Sequence, residues 1–454
     1  MYAIIVGGGD VGTELALNLL EKKHNVVVVD KDAGRVKDLA QKLDALIIHG
    51  NGANLDLLLK AKIKSAKMLI AVTESDETNI ISCMIAKTFD VPITVARVRN
   101  PESAGSIDID TRGLTQRQVG IDHIISPEKV VSQEMAKMIH FPESEEVEYF
   151  AKGYVKLVIA KVPENAEFAG KKVGRLPLPE GCAVVGIRQQ RGELLLPAEE
   201  TIIEAGDFIY LLGGIKAMRE AGRVLYPEKT RINRVVILGG GMTGYYLASA
   251  LEQTRQHSFF TKVIEKDYKQ ADELNRMLGK TIIIQGDGRD LSYFNEEELS
   301  EADVLVAVTG DDRTNIIAAI MGQKLGVRKI ISEVRSIEYS PIYKVAGVDN
   351  TINPHLITAS QILRFTHTED VVSFSLLRGR AEVMERVLSK ESKVVGKRIS
   401  EANLPKGLIV GAILRDEKVF IPKPDSLLKE MDHLVIFSKP DVCSRLDRCF
   451  AETI

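Results

Sequence analysis

The sequence contains no tryptophan and only four cysteines among its 454 residues. Cys83 and Cys182 lie far apart, whereas Cys443 and Cys449 lie near the end of the chain, and no CxxC spacing or histidine–cysteine cluster accompanies them. This pattern excludes a zinc site of the usual spacing and a dense disulfide framework. We therefore expect the thiols to be small core hydrophobes in a reducing compartment.

An excess of one charge sign is also lacking, because 60 basic and 63 acidic residues leave a formal net charge of -3 at pH 7. A protein that binds nucleic acid through a broad basic surface is therefore not expected. The apolar runs are interrupted well before the ~20 residues that a membrane span requires. Met1 runs directly into the strand-like AIIVGGG, which leaves no room for a signal peptide, so we expect a cytosolic protein.

The chain does contain a duplication. The segments GGGDVG, HGNGANLDLL, AVTESDETNI, IISPE, GKKVGRLPLPEG and GDFIYLL recur in the same order as GGGMTG, QGDGRDLSYF, AVTGDDRTNI, TINPH, GKRISEANLPKG and MDHLVIF. Six matches in one order and at nearly constant spacing indicate two copies of one sequence, here called copy one and copy two. The length suits about three or four domains, and each copy has two parts.

The first part of each copy alternates between strand and helix patterns. In copy one, the β-branched runs AIIVG, VVVVD, ALIIHG, MLIAVT, ITVARV and HIIS are separated by helical segments such as TELALNLLEKK, AGRVKDLAQKL and ETNIISCMIAKTF. This alternation predicts an α/β fold with a Rossmann-like, doubly wound parallel sheet. Runs that are apolar at every residue fit strands covered on both faces.

The second part of each copy is smaller and predicts a compact α+β lobe. In copy one its strands are VKLVIAKV, AVVGIRQQRGELLLP and GDFIYLLGG, with a helix at AMREAGRVL. SPEKVVSQEMAKMIHF predicts a crossover helix between the two parts, and YPEKTRIN joins the copies. We expect parallel-sheet domains at residues 1–140 and 232–366, and small lobes at residues 141–226 and 367–454.

Each copy carries the pattern G-x-G-x-x-G. Alone, this pattern fits an ordinary turn about as well as a ligand loop, because glycine is preferred wherever φ is positive. Here each loop follows a buried strand and opens a helix, so backbone N–H groups and the helix dipole would face a bound phosphate. The loop residues expected to contact a nucleotide are Gly7, Gly8, Gly9, Asp10, Val11 and Gly12 in copy one, and Gly239, Gly241, Met242, Thr243 and Gly244 in copy two.

An acidic residue ends the strand that follows each glycine loop: Asp30 in copy one and Glu265 in copy two. A carboxylate there accepts hydrogen bonds from the adenosine ribose and repels a 2′-phosphate, which favours NAD over NADP. The lysine after each acid, Lys31 or Lys266, is assigned to the same site. The alternative is a solvated carboxylate in a turn, but two copies of loop and acid favour nucleotide sites.

Further candidates follow from the topology. Asn51 and Gly52 come after the third strand, where the adenine edge is expected, and Thr73 follows the fourth strand at the point where such sheets bind ligands. Asp76 is a further candidate, although it and Asn79 fit helix caps equally well. The copy-two equivalents that we also assign to a nucleotide site are Asp287, Gly288 and Thr309.

The two clefts are not expected to be equal. Arg97 and Arg99 end the fifth strand of copy one and are expected to face the phosphates or the nicotinamide, whereas copy two has Glu333 and Arg335. The second cleft should therefore hold phosphate less well, unless Arg289 compensates.

Catalytic residues are harder to identify than binding residues. A dehydrogenase needs a general acid or base beside the nicotinamide, and the histidine near a suitable strand end, His123, is replaced by Asn350 in copy two. No GxSxG, HExxH or P-loop pattern occurs, and the small lobes are too small for typical catalytic domains. We therefore predict a binding protein that is not an enzyme and holds no metal. The alternatives are an NAD-dependent oxidoreductase and a scaffold built of decayed nucleotide-binding domains.

The glycine loop, Asp30, HGNG, AVTESDETN, ARVR and ISPE, followed by a lobe with GKKVGRLPLPEG and AGDFIYLLG, resemble the RCK (or KTN) domain family with its C-terminal companion lobe, over essentially the whole chain. Two departures are Asn51, where many members carry Asp, and Glu333, which replaces the arginine of copy one. The resemblance implies Rossmann clefts that bind NAD or NADH, with ATP or ADP as alternative ligands.

The same resemblance implies an assembly and a partner. RCK domains form rings beneath a channel-like membrane subunit, so a homotetramer of this chain would present eight such domains. Nucleotide binding would change the shape of the ring and gate a potassium-translocating membrane subunit, with the protein attached peripherally to the cytoplasmic face of the cell membrane. No nucleic-acid partner is implied.

Overall fold

The computed structural model describes residues 1–99, 121–140, 144–164, 166–189, 192, 194–225, 232–254, 258–288, 301–363, 365, 371–377, 381–439 and 442. Among these residues, no helix combines the length and the apolar composition that a membrane crossing needs. Contacts divide the chain into two compact units, Met1–Ala136 with Ile232–Thr366 and Lys137–Arg231 with His367–Ile454. The two parallel-sheet parts thus share one unit, and the two small lobes share the other.

The first part of copy one is built on a six-stranded parallel sheet. Its strands are β1 (Tyr2–Val6), β2 (Asn25–Asp30), β3 (Leu46–His49), β4 (Met68–Ala71), β5 (Ile93–Arg97) and β6 (His123–Ile125). They lie in the order β3-β2-β1-β4-β5-β6, and each pairing is parallel. The order reverses between β1 and β4, the point at which doubly wound sheets bind ligands. The predicted fold is confirmed.

Helices cover this sheet, which explains why its central strands are buried along nearly their whole length. α1 begins directly after Gly9 and buries Leu15 and Leu19 against the sheet. α4 begins after Ser75, whose side chain accepts a hydrogen bond from the backbone N–H of Thr78. The helices in the described residues of this part are α1 (Asp10–Glu21), α2 (Ala33–Lys42), α3 (Leu55–Lys60), α4 (Asp76–Thr88) and α5 (Pro127–His140), the last being the predicted crossover helix.

The small lobe of copy one is a five-stranded antiparallel sheet followed by a helix. Its elements are β7 (Ser144–Phe150), β8 (Val155–Lys161), β9 (Cys182–Arg188), β10 (Leu194–Leu195), β11 (Phe208–Gly214) and α6 (Ile215–Leu225). The sheet order is β10-β9-β11-β8-β7. The predicted strands correspond to β8 to β11. β7 was not predicted, because the acidic residues of SEEVEYF interrupt the apolar pattern.

Copy two repeats the parallel sheet. Its strands are β12 (Arg234–Leu238), β13 (Phe260–Glu265), β14 (Ile282–Gln285), β15 (Val304–Ala307), β16 (Lys329–Glu333) and β17 (Asn350–Ile352), in the equivalent order β14-β13-β12-β15-β16-β17. The described helices are α7 (Met242–Glu252), α8 (Tyr268–Met277), α9 (Asp312–Lys324), α10 (Ser340–Val345) and α11 (Pro354–Leu363). α11 packs against α1 of copy one, where Ala359 and Ile362 join the core that contains Leu15 and Leu19.

The small lobe of copy two has the strands β18 (Val371–Leu377), β19 (Ala381–Val387), β20 (Leu408–Arg415), β21 (Lys418–Phe420) and β22 (His433–Ser438). Their order, β18-β19-β22-β20-β21, is the same arrangement as in the first lobe. The two lobes share one hydrophobic core, in which the rings of Tyr210 and Phe437 lie 5.2 Å apart. Gly186 makes room for Phe437, because a Cβ there would lie 2.8 Å from its ring.

Candidate functional site

A cavity of about 910 Å³ lies at the carboxyl ends of β1, β2 and β4 and is called cleft one below. Its volume suits a nucleotide-sized cofactor, for which pockets of roughly 300–1,000 Å³ are usual. The predicted residues that line cleft one are Gly7, Gly8, Gly9, Asp10, Val11, Asp30, Lys31, Asn51, Gly52, Thr73 and Arg97. Topology thus brings together most of the candidates of copy one, while Gly12, Asp76 and Arg99 lie outside the lining.

The glycines of the first loop have different structural roles. Gly7 has φ of +104°, and a Cβ there would lie 2.9 Å from the backbone nitrogen of Thr73. A Cβ at Gly12 would lie only 1.8 Å from the carbonyl oxygen of Gly7, so α1 can pack on β1 only if this residue is glycine. At Gly9 no described atom lies within 4 Å of the added Cβ. Gly9 therefore leaves open space at the start of α1, as the approach of a phosphate requires.

Asp30 is buried, with 4% of its surface exposed. Its Oδ2 accepts a hydrogen bond from the N–H of Gly8 at 2.6 Å, and its Oδ1 accepts one from the N–H of Asp32 at 2.8 Å. The Nη1 atom of Arg35 lies 3.4 Å from Asp30 Oδ2. The alternative of a solvated carboxylate is therefore wrong: Asp30 orients the glycine loop. Its contact with a ribose stays a prediction.

Glu265 repeats this arrangement in copy two with a longer side chain. Its Oε2 accepts from the N–H of Gly240 at 2.7 Å and its Oε1 from the N–H of Asp267 at 2.8 Å. Glu265 is buried, with 7% of its surface exposed. Two acids of different length thus make the same pair of backbone hydrogen bonds, which is why either residue serves at this position.

The turn that follows β3 is stabilised by a side chain of its own. Asn51 accepts a hydrogen bond from the N–H of Ala53 at 2.9 Å, which closes a turn. A Cβ at Gly52 would lie 2.1 Å from Val6, and Gly288 has the same relation to Leu238 in copy two. Gly52 and Gly288 are therefore required for close packing beneath the loop.

Asn79 is fully buried and ties the end of β4 to the end of β5. Its Oδ1 accepts from the backbone N–H of Thr73 at 2.9 Å and from the hydroxyl of Thr73 at 2.7 Å. Its Nδ2 donates to the carbonyls of Thr73 and Arg97 at 3.0 and 2.8 Å. Asn315 makes corresponding bonds to Thr309 and Glu333. The sequence pattern also fitted a helix cap. In the structure Asn79 instead fixes Thr73 and Arg97, which line cleft one, relative to each other.

Asp76 is also not the cap of α4, since Ser75 occupies that position. Its carboxylate accepts from the backbone N–H of Arg99 at 3.2 Å. Asp312, its equivalent, accepts from the N–H groups of Arg335 and Ser336 at 3.0 Å. These two aspartates therefore anchor the segments that follow the fifth strands.

Arg97 lines cleft one and is half-buried. Burial lowers the pKa of its guanidinium, and the neighbouring Glu128 opposes that shift. Within the described part of the chain, Arg97 Nε and Glu128 Oε2 are buried atoms without a hydrogen-bond partner. The guanidinium of Arg99 donates instead to the carbonyl of Glu74.

The glycine loop of copy two has the same geometry as the first. Gly239 has φ of +110°, a Cβ at Gly244 would lie 2.0 Å from Gly239 O, and Gly241 is open within the described residues. Glu333 is 3% exposed and accepts a hydrogen bond from Arg335 Nε at 2.9 Å. Arg289, the expected compensating cation, lies outside the described residues.

Copy two also contributes to cleft one, which the sequence reasoning missed because it treated each cleft separately. The additional lining residues are Asp312, Arg335, Ser336, Glu338, Asn353, His355 and Leu356. His355 Nδ1 lies 3.1 Å from Asp10 Oδ2. No local pattern signalled this contribution, because the recurrence of IISPE as TINPH shows only that α5 and α11 begin at equivalent positions.

His123 does not line cleft one; its ring stacks on Phe365 with centroids 3.7 Å apart, and burial lowers its pKa. A search of the described residues finds no group of three histidine, cysteine or acidic side chains that could hold a metal ion.

Comparison with known proteins agrees with this architecture. The TrkA-N domain family matches residues 3–127 and 235–354, and the TrkA-C domain family matches residues 157–225 and 383–451. The chain is 33% identical to the Trk system potassium uptake protein TrkA of Vibrio alginolyticus, over 96% of this chain and 95% of that protein. Identity to TrkA homolog 1 of Methanosarcina mazei is 30%, over 99% of this chain and all of that protein.

Solved structures show the same fold. The GsuK channel bound to NAD superposes with a TM-score of 0.64 at 20% sequence identity, covering 99% of this chain and 78% of the channel chain. The GsuK RCK domain superposes with a TM-score of 0.63 at 18% identity, covering 99% and 94%. These matches extend over both copies.

Proposed function

This chain belongs to the TrkA family of tandem TrkA-N and TrkA-C proteins, and on that premise we propose that it is the nucleotide-binding regulatory subunit of a potassium uptake system. The observation that carries the proposal is cleft one. It combines an open backbone at Gly9, a buried acid at Asp30 and a cation at Arg97 in one cavity of nucleotide size. This arrangement suits a ribose and a pyrophosphate.

The ligand of cleft one is NAD or NADH, with ADP or ATP as alternatives. Solved structures of the GsuK channel are bound to NAD in one case and to ADP in another. The second cleft has the same loop and acid, but there Glu333 pairs with Arg335. We therefore assign the dinucleotide to copy one and a mononucleotide, ADP or ATP, to copy two.

The partner is a potassium-translocating membrane subunit of the TrkH/TrkG type, on whose cytoplasmic face the protein binds peripherally. Its potassium-uptake relatives and the fold it shares with a channel's RCK domain support this assignment. A homotetramer would present eight TrkA-N domains as a ring. A nucleotide that prefers one ring conformation by a few kcal/mol would gate the membrane subunit through a population shift.

The test uses Gly9→Trp in the full chain. The added side chain begins in open space, so the fold should persist while the indole occupies the phosphate position. Calorimetry should show loss of NADH binding in cleft one, and vesicles containing the membrane subunit should lose the nucleotide dependence of potassium flux. Gly279→Trp is the matched control, because no described atom lies within 4 Å of its Cβ and it does not line cleft one.

Three results would contradict the proposal. Unchanged NADH affinity in Gly9→Trp would mean that the glycine loop of copy one is not the binding site. Loss of binding with unchanged flux would remove the gating role. Substrate-dependent consumption of NADH by the purified protein would establish the alternative, an oxidoreductase.

A further inference from the structure

The two parallel-sheet parts meet around a second cavity of about 260 Å³. Matching positions of the two copies line it in pairs: Val11 and Thr243, Arg97 and Glu333, Arg99 and Arg335, Pro127 and Pro354, Glu128 and His355, and Val131 and Thr358. Equivalent residues that face one cavity indicate an approximate two-fold relation between the copies, as at the interface of a symmetric dimer.

This relation places the start of α11 beside the glycine loop of copy one. His355 lines both cavities, and its Nδ1 lies 3.1 Å from Asp10 Oδ2. The positions equivalent to this pair are Glu128 and Met242. A histidine and an aspartate therefore meet at cleft one, whereas the equivalent pair for the second cleft is a glutamate and a methionine.

Asp10 is an unfavourable neighbour for a bound phosphate. It is the first residue of α1, and its carboxylate is 80% exposed beside the N–H groups that would hold the phosphate. A carboxylate favours the helix dipole, but it repels a second anion at the same helix end. A protonated His355 would offset the charge of Asp10 and contribute a cation to the phosphate.

The charge of His355 is set by several groups. Burial lowers its pKa, Asp10 on α1 opposes this shift, Arg97 and Arg335 lower the pKa further, and Glu333 opposes them. The other charged groups around the smaller cavity are Glu74, Arg99 and Glu128. Burial, Arg97 and Arg335 thus favour the neutral imidazole of His355, whereas Asp10 and Glu333 favour its charged form.

We propose that His355 is a phosphate-recognition residue of cleft one, supplied by copy two, and that it takes up a proton when an anionic nucleotide binds. The inference rests on the proposed function, because it requires a nucleotide in this cleft. A bound phosphate stabilises the imidazolium, so protons and nucleotide favour each other's binding. The terminal phosphate of ADP adds charge, so ADP should stabilise the imidazolium of His355 more than NADH does.

The direction of the pH dependence follows from this linkage. At a pH well below the pKa of His355 in both the empty and the occupied cleft, His355 is charged before binding and nucleotide affinity is highest. Affinity falls as the pH rises through the pKa of the empty and then of the occupied cleft. A rise of one unit in this pKa on binding corresponds to about a ten-fold difference in affinity between the two limits.

The experiment is calorimetry of NADH and ADP binding to the full chain carrying Gly241→Trp, which restricts binding to cleft one. Titrations between pH 6 and 8 in two buffers of different ionisation enthalpy measure the protons taken up. We expect uptake of up to one proton per site and an affinity that falls up to about ten-fold over this range. For NADH, whose pyrophosphate does not titrate in this range, His355→Gln should abolish both effects, while Glu128→Gln should retain them.

A second variant tests the role of Asp10. Asp10→Asn removes the repulsion, so it should bind nucleotide more tightly than the parent protein at pH 8 and take up less of a proton. NADH binding without proton uptake, or uptake on NADH binding that persists in His355→Gln, would overturn the inference and leave the proposed function standing. Absence of NADH and ADP binding to the unsubstituted chain would instead overturn the proposed function, and the inference with it.

Discussion

The substitution Asn79→Asp tests how cleft one is held open. Asn79 is buried, and its Nδ2 donates to the carbonyls of Thr73 and Arg97 at 3.0 and 2.8 Å. Aspartate has nearly the same shape but places an oxygen against both carbonyls. Each buried group that loses its partner costs about 1–3 kcal/mol, so we expect a loss of about 2–6 kcal/mol in the link between β4 and β5.

Cys83 provides a local assay for this loss. It lies one turn after Asn79 on α4, is fully buried, and its Sγ is 3.5 Å from the carbonyl oxygen of Val95 on β5. Its reaction with a thiol reagent under native conditions therefore requires this region to open. A loss of about 2 kcal/mol, the low end of the range, raises the opening equilibrium and the labelling rate about 30-fold.

The measurement is made at pH 8 in a background carrying Cys443→Ser and Cys449→Ser. Cys182 lies in the other compact unit and should label at an unchanged rate. Asn315→Asp is the matched control, because it disturbs the equivalent link of copy two. If Cys83 reacts as slowly in Asn79→Asp as in the parent, or equally fast in Asn315→Asp, the role assigned to Asn79 is wrong.

The same variant should show a pH dependence of defined sign. Burial beside two carbonyls raises the pKa of the new carboxyl in the folded state above its unfolded value of about 3.9. The folded protein then binds more protons than the unfolded protein, so stability falls as the pH rises above about 3.9 and through the folded-state pKa. The deficit in urea midpoint relative to the parent should therefore be larger at pH 8 than at pH 5.

Two further predictions concern the glycine loop and its acid. Gly12→Ala should lower the urea midpoint and weaken NADH binding, because its Cβ would lie 1.8 Å from a backbone oxygen. Gly9→Ala adds its Cβ to open space and should leave the midpoint unchanged. Equal midpoints for the two variants would contradict the packing assigned to α1. Asp30→Ala should weaken NADH binding by about 1–3 kcal/mol, since a charged hydrogen bond is lost, and calorimetry that finds unchanged affinity would remove Asp30 from the site.

Local sequence patterns predicted the fold class correctly. Fully apolar runs indicated strands buried on both faces, and the strand–helix alternation indicated a doubly wound sheet. The glycine loop was also predictable, because Gly7 and Gly12 meet backbone constraints that depend only on a strand, a tight turn and a helix. By contrast, β7 was missed because its acidic residues interrupt the apolar pattern on which the strand prediction relied.

Side-chain roles were less accessible to sequence reasoning. SDETN has the form of a helix cap, and the cap is present at Ser75, but Asp76 and Asn79 instead bind backbone groups at the end of β5 and just beyond it. These partners lie about 20 residues further along the chain. Because hydrogen bonds between neighbouring strands depend on sheet order, a local pattern does not distinguish them from caps.

The sequence by itself determined the duplication, the parallel sheets and the loop and acid of each copy, because periodicity, glycine geometry and strand ends are local properties of the chain. Only the tertiary structure showed that Arg335 and His355 of copy two line the cleft of copy one. That contact depends on α11 packing against α1 across the approximate two-fold relation. Such packing joins residues more than 300 positions apart, and no local periodicity records which faces of two similar domains meet.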